Sequence, residues 1–469
     1  MKALSSCLGL LCLLAAVCAA GQEAGGDAEF VGYQIRLFRS DKTFSSVRQG
    51  RVQRVRDLRG FTPADDVPLG PYGGLASRTL PATGYFHPQQ VDGRWWLVDP
   101  DGHPYVMVGL AAVAPYDRRK EERDLGPFRD EGEWAQKTNA QMRSMGFNGT
   151  GPWSFDTDLQ AQDNALNYTV SLYVMYSFAG TYHDGESSLH NYTFVNDVIP
   201  VLDPRFEAYA IKTLKERIRP EWIDDPRLVG YFVDNELPWK PDSLRRFLEL
   251  APENVNHQQT IAWLVSEAGM TEDQARALGP DDLSDALSSR FLEFIAERYY
   301  SIVRKALRAA DPNHLYLGSR IHGGYIRRHE VFAAMGRHVD VVSVNYYHRW
   351  QPRQKELDQW AAWTGRPYLI TEWYAKGADS GLQNESGAGK LVATQEDRGK
   401  FYQSFALGLL AHKHCVGWHW YKYKDSPFPG KDSNRGFYTK TFEGYTPLQN
   451  AARELNQQVY PLVEYLDAR

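Results

Sequence analysis

The chain has 469 residues and a formal net charge of −5 with both signs interspersed. That balance excludes the basic footprint of a nucleic-acid binder or of a protein held on an anionic membrane. Beyond the first twenty residues no run reaches the ~18 uninterrupted apolar residues of a membrane span. The length is ample for one large domain with its own core. The 13 Trp, 27 Tyr and 21 Phe fill such a core and, in the case of Trp and Tyr, also stack on sugar rings.

Residues 1–20 have the layout of a secretory signal peptide: Lys2 at the start, an apolar run from Leu8 to Val17, then small residues for cleavage. A secreted protein, extracellular or periplasmic, is expected. Cys7, Cys12 and Cys18 fall in that segment and leave Cys415 alone in the mature chain, so no internal disulfide can help hold the fold. N-x-Ser/Thr sequons stand at Asn148, Asn167, Asn191 and Asn384, and Asn148 lies in an expected strand where a glycan has no room. Residues 21–84 are rich in Arg, Gly and Pro and are read as an N-terminal arm or small β-layer. A hairpin follows, with Gln89 to Val91 and Arg94 to Val98 flanking an Asp92-Gly93 turn.

From Tyr105 onward, short apolar runs alternate with helical stretches. They are Tyr105 to Val113, Met145 to Trp153, Val170 to Phe178, Leu228 to Leu237, Leu315 to Ile321, Val339 to Tyr347, Pro367 to Tyr374 and Val416 to Tyr423. Near-continuous apolar runs are what parallel strands covered on both faces require. Phe291, Ile295, Tyr299, Ile302 and Ala306 form a helical stripe that stops before Asp311-Pro312. Thr394 to Asp397 opens a helix in capping-box style, and Thr446-Pro447 opens the last. Eight strand–helix repeats predict an α/β fold, a (β/α)8 TIM barrel over residues 85–469 with a short N-terminal β-rich extension. The stretch from about 240 to 314 exceeds one crossover helix and predicts a helical insertion.

Sites on such barrels gather at the C-terminal ends of the strands. Glu236 closes the fourth run (GYFVDNE, residues 230–236) and Glu372 the seventh (YLITE, residues 368–372). The fourth and seventh of eight strands face each other across the mouth. A retaining glycosidase needs two such carboxyl groups ~5 to 5.5 Å apart, one attacking the anomeric carbon and the other protonating the leaving oxygen. The attacking carboxylate should be kept ionised by nearby donors. No His-x-His opens the first strand and no HExxH occurs, so no metal is expected. No Gly-rich phosphate loop follows a strand, so no cofactor is expected.

Asn-Glu at the end of the fourth strand and Glu at the end of the seventh resemble clan A of the glycoside hydrolases. The stretches GRWWLVDPDG (93–102), GYFVDNE (230–236), LITEWYAKG (369–377) and VGWHWYKY (416–423) are most similar to the family 50 β-agarases. The resemblance implies Glu236 as acid/base, Glu372 as nucleophile and Asn235 as a ligand of the sugar 2-hydroxyl. It also implies a tyrosine after the sixth strand that bonds the nucleophile. Tyr347 is the choice and Tyr346 the alternative. The substrate so implied is a polysaccharide or oligosaccharide, an agarose-like galactan.

Trp418 and Trp420, two apart on the eighth strand, share one face and are expected to offer a sugar platform, with packing in the barrel as the alternative; His419 faces the other way and is read as packed. Arg320, His322 and Trp153 are subsite candidates at strand ends. Lys376 and Asp379 could bind substrate hydroxyls from a glycine-rich loop expected to act as a mobile lip. A retaining β-galactosidase, β-glucanase or β-mannanase shares the catalytic argument, and a non-catalytic carbohydrate-binding barrel is the rival of another class.

Overall fold

The computed structural model describes residues 28–37, 43–117, 123–183, 194–425 and 432–469. The expected signal peptide and the sequon at Asn191 lie outside these residues. The fold is mixed α/β around a nine-strand sheet in which every pair is parallel. In sheet order its strands are Leu315–Tyr316, Leu228–Val233, Asn167–Leu172, Gly149–Thr150, Met107–Ala111, Cys415–Tyr421, Tyr368–Glu372, Val342–Asn345 and Ile321–His322. The two strands at the ends of the sheet come from one continuous segment, interrupted only by Leu317 to Arg320. The sheet is therefore compatible with a barrel whose fifth strand is split.

Each of the eight apolar runs overlaps a strand of this sheet, but the third is shifted. Its strand is Asn167–Leu172, and Met175–Tyr182 is a helix. The cause is remote in sequence. The buried Asp234 carboxylate accepts bonds from the backbone N–H groups of Val174, Met175 and Tyr176, the orphan donors that a helix start presents. Tyr299 holds the same carboxylate through its hydroxyl.

The helices obey their sequence signals. The stripe Phe291, Ile295, Tyr299, Ile302 and Ala306 is buried along Asp285–Ala310, with Ser284 accepting a bond from the Leu287 N–H. Each fully buried large side chain of this kind contributes about 1.5–3 kcal/mol. Thr394 caps Gln395–Leu410, and Pro447 sits in the first turn of Thr446–Asn456. The insertion consists of the helices Ser243–Leu248, Val255–Ala268 and Glu272–Ala277 and the start of Asp285–Ala310. No helix among the described residues is long and apolar enough to cross a membrane.

The hairpin pairs His87–Val91 with Arg94–Val98, and positive φ at both Asp92 and Gly93 forms its turn. Its Phe86 and Leu97 pack with Met107, Val229, Phe232, Leu317, Val341, Leu369 and Val416 in a compact apolar cluster that closes one end of the sheet. Close strand approach relies on Gly417. Its φ is +146°, and a Cβ there would stand 2.1 Å from the Met107 carbonyl oxygen. Gly417→Ala is expected to cost about 3 kcal/mol or more, read as a lowered urea midpoint with an unchanged slope.

The N-terminal strands Phe30–Gln34 and Arg48–Arg51 join Lys390–Val392 and Ala375–Gly377 in a separate four-stranded sheet. The glycine-rich loop after Glu372 is thus flanked on both sides by paired strands. The side-chain amide nitrogens of Asn148, Asn167 and Asn384 donate to the carbonyl oxygens of Val106, Tyr72 and Gly377, so these three sequons are occupied by the fold itself.

Candidate active site

Glu372 is the last residue of its strand, and Glu236 stands three residues beyond Val233 in a left-handed backbone conformation, φ 55°. Positive φ at Asp234 and again at Glu236 turns the chain twice, so that Asp234 points into the core while Glu236 stays half-buried at the strand ends. Non-glycine residues in this region carry strain of order 1–3 kcal/mol that the surrounding contacts must hold.

The two carboxylates differ in their surroundings. Glu372 is 6% exposed. Its Oε1 accepts from Arg320 Nη2 at 2.5 Å and its Oε2 from the Tyr347 hydroxyl. Burial raises its carboxyl to about 7; Arg320 opposes the rise, the charge of Glu236 adds to it and Tyr347 opposes it. The donors expected around this residue are thus in place, but desolvation outweighs them and the net shift is upward rather than downward. Glu236 is more open. Its Oε1 accepts from Asn345 Nδ2 at 2.6 Å, and its Oε2 lies 3.8 Å from His322 Nδ1.

Arg320 itself is wholly buried, held between Glu372 and the Trp153 ring, whose centroid is 4.2 Å from the guanidinium carbon. Trp153 is 37% exposed, and its indole N–H donates to the Tyr173 hydroxyl at 2.6 Å. Asn235 turns a buried side-chain oxygen that has no partner among the described residues, and the Tyr176 hydroxyl donates to its backbone carbonyl. Tyr346, the alternative to Tyr347, is buried and donates instead to Glu356. Glu236, Glu372, Asn235, Tyr347, Arg320, His322 and Trp153 therefore occupy one cluster at the strand ends.

Trp418 and Trp420 do not join it. Both are fully buried, with Trp418 Nε1 donating to the Tyr402 hydroxyl and Trp420 Nε1 to the Arg435 carbonyl. Their face of the strand lies against Gln395–Leu410, where Trp420 meets Phe401 and Tyr402. The platform expected of them is corrected to packing between sheet and helix. The opposite face carries His419, kept neutral with a value lowered to about 3 by burial and Arg320, and then Tyr421. The Tyr421 ring meets Trp153 edge-on at 5.9 Å and Tyr374 at 6.1 Å, so Tyr421 presents the aromatic surface at this strand end. Lys376 is also withdrawn: its ammonium is buried and donates to the carbonyls of Asn384 and Ser386. Asp379 accepts from Gln395. Both brace the loop.

Asn345 is the residue that sequence reasoning missed. The Thr371 hydroxyl donates to its Oδ1 at 2.7 Å, which fixes the amide so that Nδ2 faces Glu236. Asn345→Ala is expected to lower turnover about ten- to hundred-fold, part of the ~10²–10⁴ that a positioned acid/base supplies. The loss should shrink on any substrate whose leaving group needs no proton. Among the described residues no group of three or more His, Cys, Asp or Glu side chains could hold a metal.

Such a pair of carboxylates, one buried between an arginine and a tyrosine and one more open beside an amide, invites comparison with known enzymes. The chain is similar to β-agarases. β-Agarase B of Vibrio sp. (strain JT0107) is 25% identical over 499 residues, covering 83% of this chain and 50% of the relative. β-Agarase A of the same strain is 30% identical over 471 residues, covering 79% of this chain and 45% of the relative. The chain thus spans about half the length of these curated relatives. The solved structure of BpGH50 matches with a TM-score of 0.81 at 27% identity, over 94% of this chain and 96% of that one. No family model matches the chain.

Proposed function

We propose that this protein is a secreted retaining glycoside hydrolase that cleaves β-galactosidic linkages in an agarose-like galactan or its oligosaccharides. The observation that carries the reading is the unequal pair, Glu372 between Arg320 and Tyr347, and Glu236 beside Asn345. Similarity to two β-agarases and to BpGH50 supports the substrate. In this reading the nine-strand sheet closes as a (β/α)8 barrel, with residues 85–469 as the catalytic unit and residues 1–20 as a signal peptide.

In the first step the Glu372 carboxylate attacks the anomeric carbon while Glu236 gives its proton to the departing glycosidic oxygen. The C–O bond breaks and a glycosyl ester on Glu372 forms. In the second step Glu236 takes a proton from water, the oxygen attacks the same carbon, and Glu372 leaves as a carboxylate, so the configuration is retained. Arg320 and Tyr347 stabilise the ionised Glu372 before attack and on departure. The free oxygen of Asn235 accepts from the 2-hydroxyl, and Trp153 and Tyr421 flank the ring. Incubation with agarose, neoagaro-oligosaccharides and a panel of β-glucans tests the substrate, and NMR of the first-formed anomer tests the stereochemistry. Release from β-glucans alone would sink the galactan assignment, and a first-formed α-anomer would sink retention.

A further inference from the structure

The two oxygens of Glu236 are held unequally. Asn345 Nδ2 donates to Oε1 at 2.6 Å, whereas Oε2 faces His322 Nδ1 across 3.8 Å, about 1 Å too far for a hydrogen bond. That nitrogen is buried and has no hydrogen-bond partner among the described residues. A buried unpaired nitrogen costs free energy that a hydrogen bond recovers, and Glu236 Oε2 is within a small side-chain movement of it.

The backbone brings both partners to Glu236 together. Ile321–His322 runs parallel to Val342–Asn345, with His322 in register with Asn345, so adjacent strand ends approach the two oxygens of one carboxyl group. Arg320, two residues before His322, bonds Glu372. One short segment of chain thus reaches both carboxylates. The His322 side chain is 39% exposed and its ring meets Tyr325 edge-on at 6.4 Å, which leaves it room to turn toward Oε2.

A single hydrogen bond leaves a carboxyl group free to swivel about its last bond, while bonds at both oxygens fix its plane. In the tautomer that carries its proton on Nδ1, His322 can donate to Oε2. The amide at Oε1 and the imidazole at Oε2 then grip the carboxyl group from two sides. The remaining lone pair of Oε2 carries the proton that goes to the glycosidic oxygen and returns from water. Catalytic hydrogen bonds of this kind are often long in a free enzyme and tighten in the substrate complex. The burial of Nδ1 beside Glu236 gives this nitrogen to the carboxyl group rather than to a sugar hydroxyl.

We infer that His322 is a positioning residue that acts through Glu236, closing on its Oε2 when substrate binds and fixing the carboxyl group for proton transfer. This rests on the reading of the cleft as a retaining glycosidase site. The test measures kcat/KM of the whole protein on two substrates that share the sugar at the cleaved bond: an oligosaccharide, and a glycoside whose leaving group needs no proton. His322→Ala should lower the value about tenfold on the oligosaccharide, part of what a positioned acid supplies, and less than about twofold on the activated glycoside, with little change in Tm. His322→Asn, which can put an amide N–H where Nδ1 stands, should recover most of the loss. In a Glu236→Gln background His322→Ala should cost nothing further, since no proton is left to position. An equal loss on both substrates, or the same loss in both backgrounds, would mark a sugar contact or a brace of the strand end and overturn the inference, as would no loss at all. If the unaltered protein hydrolyses neither substrate, the glycosidase reading fails and this inference falls with it, an outcome distinct from hydrolysis that is indifferent to His322.

Discussion

On the proposed retaining mechanism, Glu372→Gln is expected to lower kcat by on the order of 10⁴-fold or more, because the amide cannot form the glycosyl intermediate. Glu236→Gln should cost about 10²–10⁴, since it removes proton transfer and leaves the nucleophile intact. Added azide separates the roles. In Glu372→Gly, azide enters the space left by the carboxylate and attacks from that face, so a β-linked substrate with an activated leaving group yields the α-glycosyl azide. In Glu236→Gly, azide replaces water in the second step and yields the β-azide. Near-normal turnover in both glutamine variants would sink the site assignment, and an exchange of the two azide products would reverse the roles.

Arg320→Met should abolish most activity at neutral pH and restore part of it in alkali. The guanidinium lowers the Glu372 value, which burial and Glu236 hold at about 7 even in its presence. Without that cation the value climbs, and each unit of rise removes about tenfold of the ionised carboxylate below it. The acidic limb of the rate profile should therefore move to higher pH by one unit or more. A residue that merely touched substrate would lower kcat/KM by the same factor at every pH, so an unshifted limb would refute the role. Stability follows the same sign. An unpaired buried charge costs about 3–5 kcal/mol, but Glu372 can take up a proton instead, so the variant should lose stability mainly above neutral pH.

The sequence was sufficient for whatever depends on local pattern. Apolar runs placed all eight strand segments because strands covered on both faces tolerate little else. The Asp92-Gly93 turn, the stripe from Phe291 to Ala306, the cap at Thr394 and the first-turn Pro447 followed from backbone sterics and unpaired helix-end donors. Glu236 and Glu372 were legible because a strand end is a place in sequence as well as in space.

What failed depended on which face a side chain turns to, or on partners far along the chain. Period-two alternation groups Trp418 with Trp420 and His419 with Tyr421, but does not say which pair meets the helices. Packing against Gln395–Leu410 decides it, burying the tryptophans and leaving Tyr421 at the cleft. The third strand slid because Asp234, some sixty residues later, caps the helix at Met175. Asn345 acquired its place only through Thr371 and Glu236, and Glu372 its raised value through burial and then the charge of Glu236. Local pattern determines where elements begin and what chemistry stands at their ends. The choice of face, the partner of each polar atom and the dielectric around each charge exist only once distant segments have excluded water from between them.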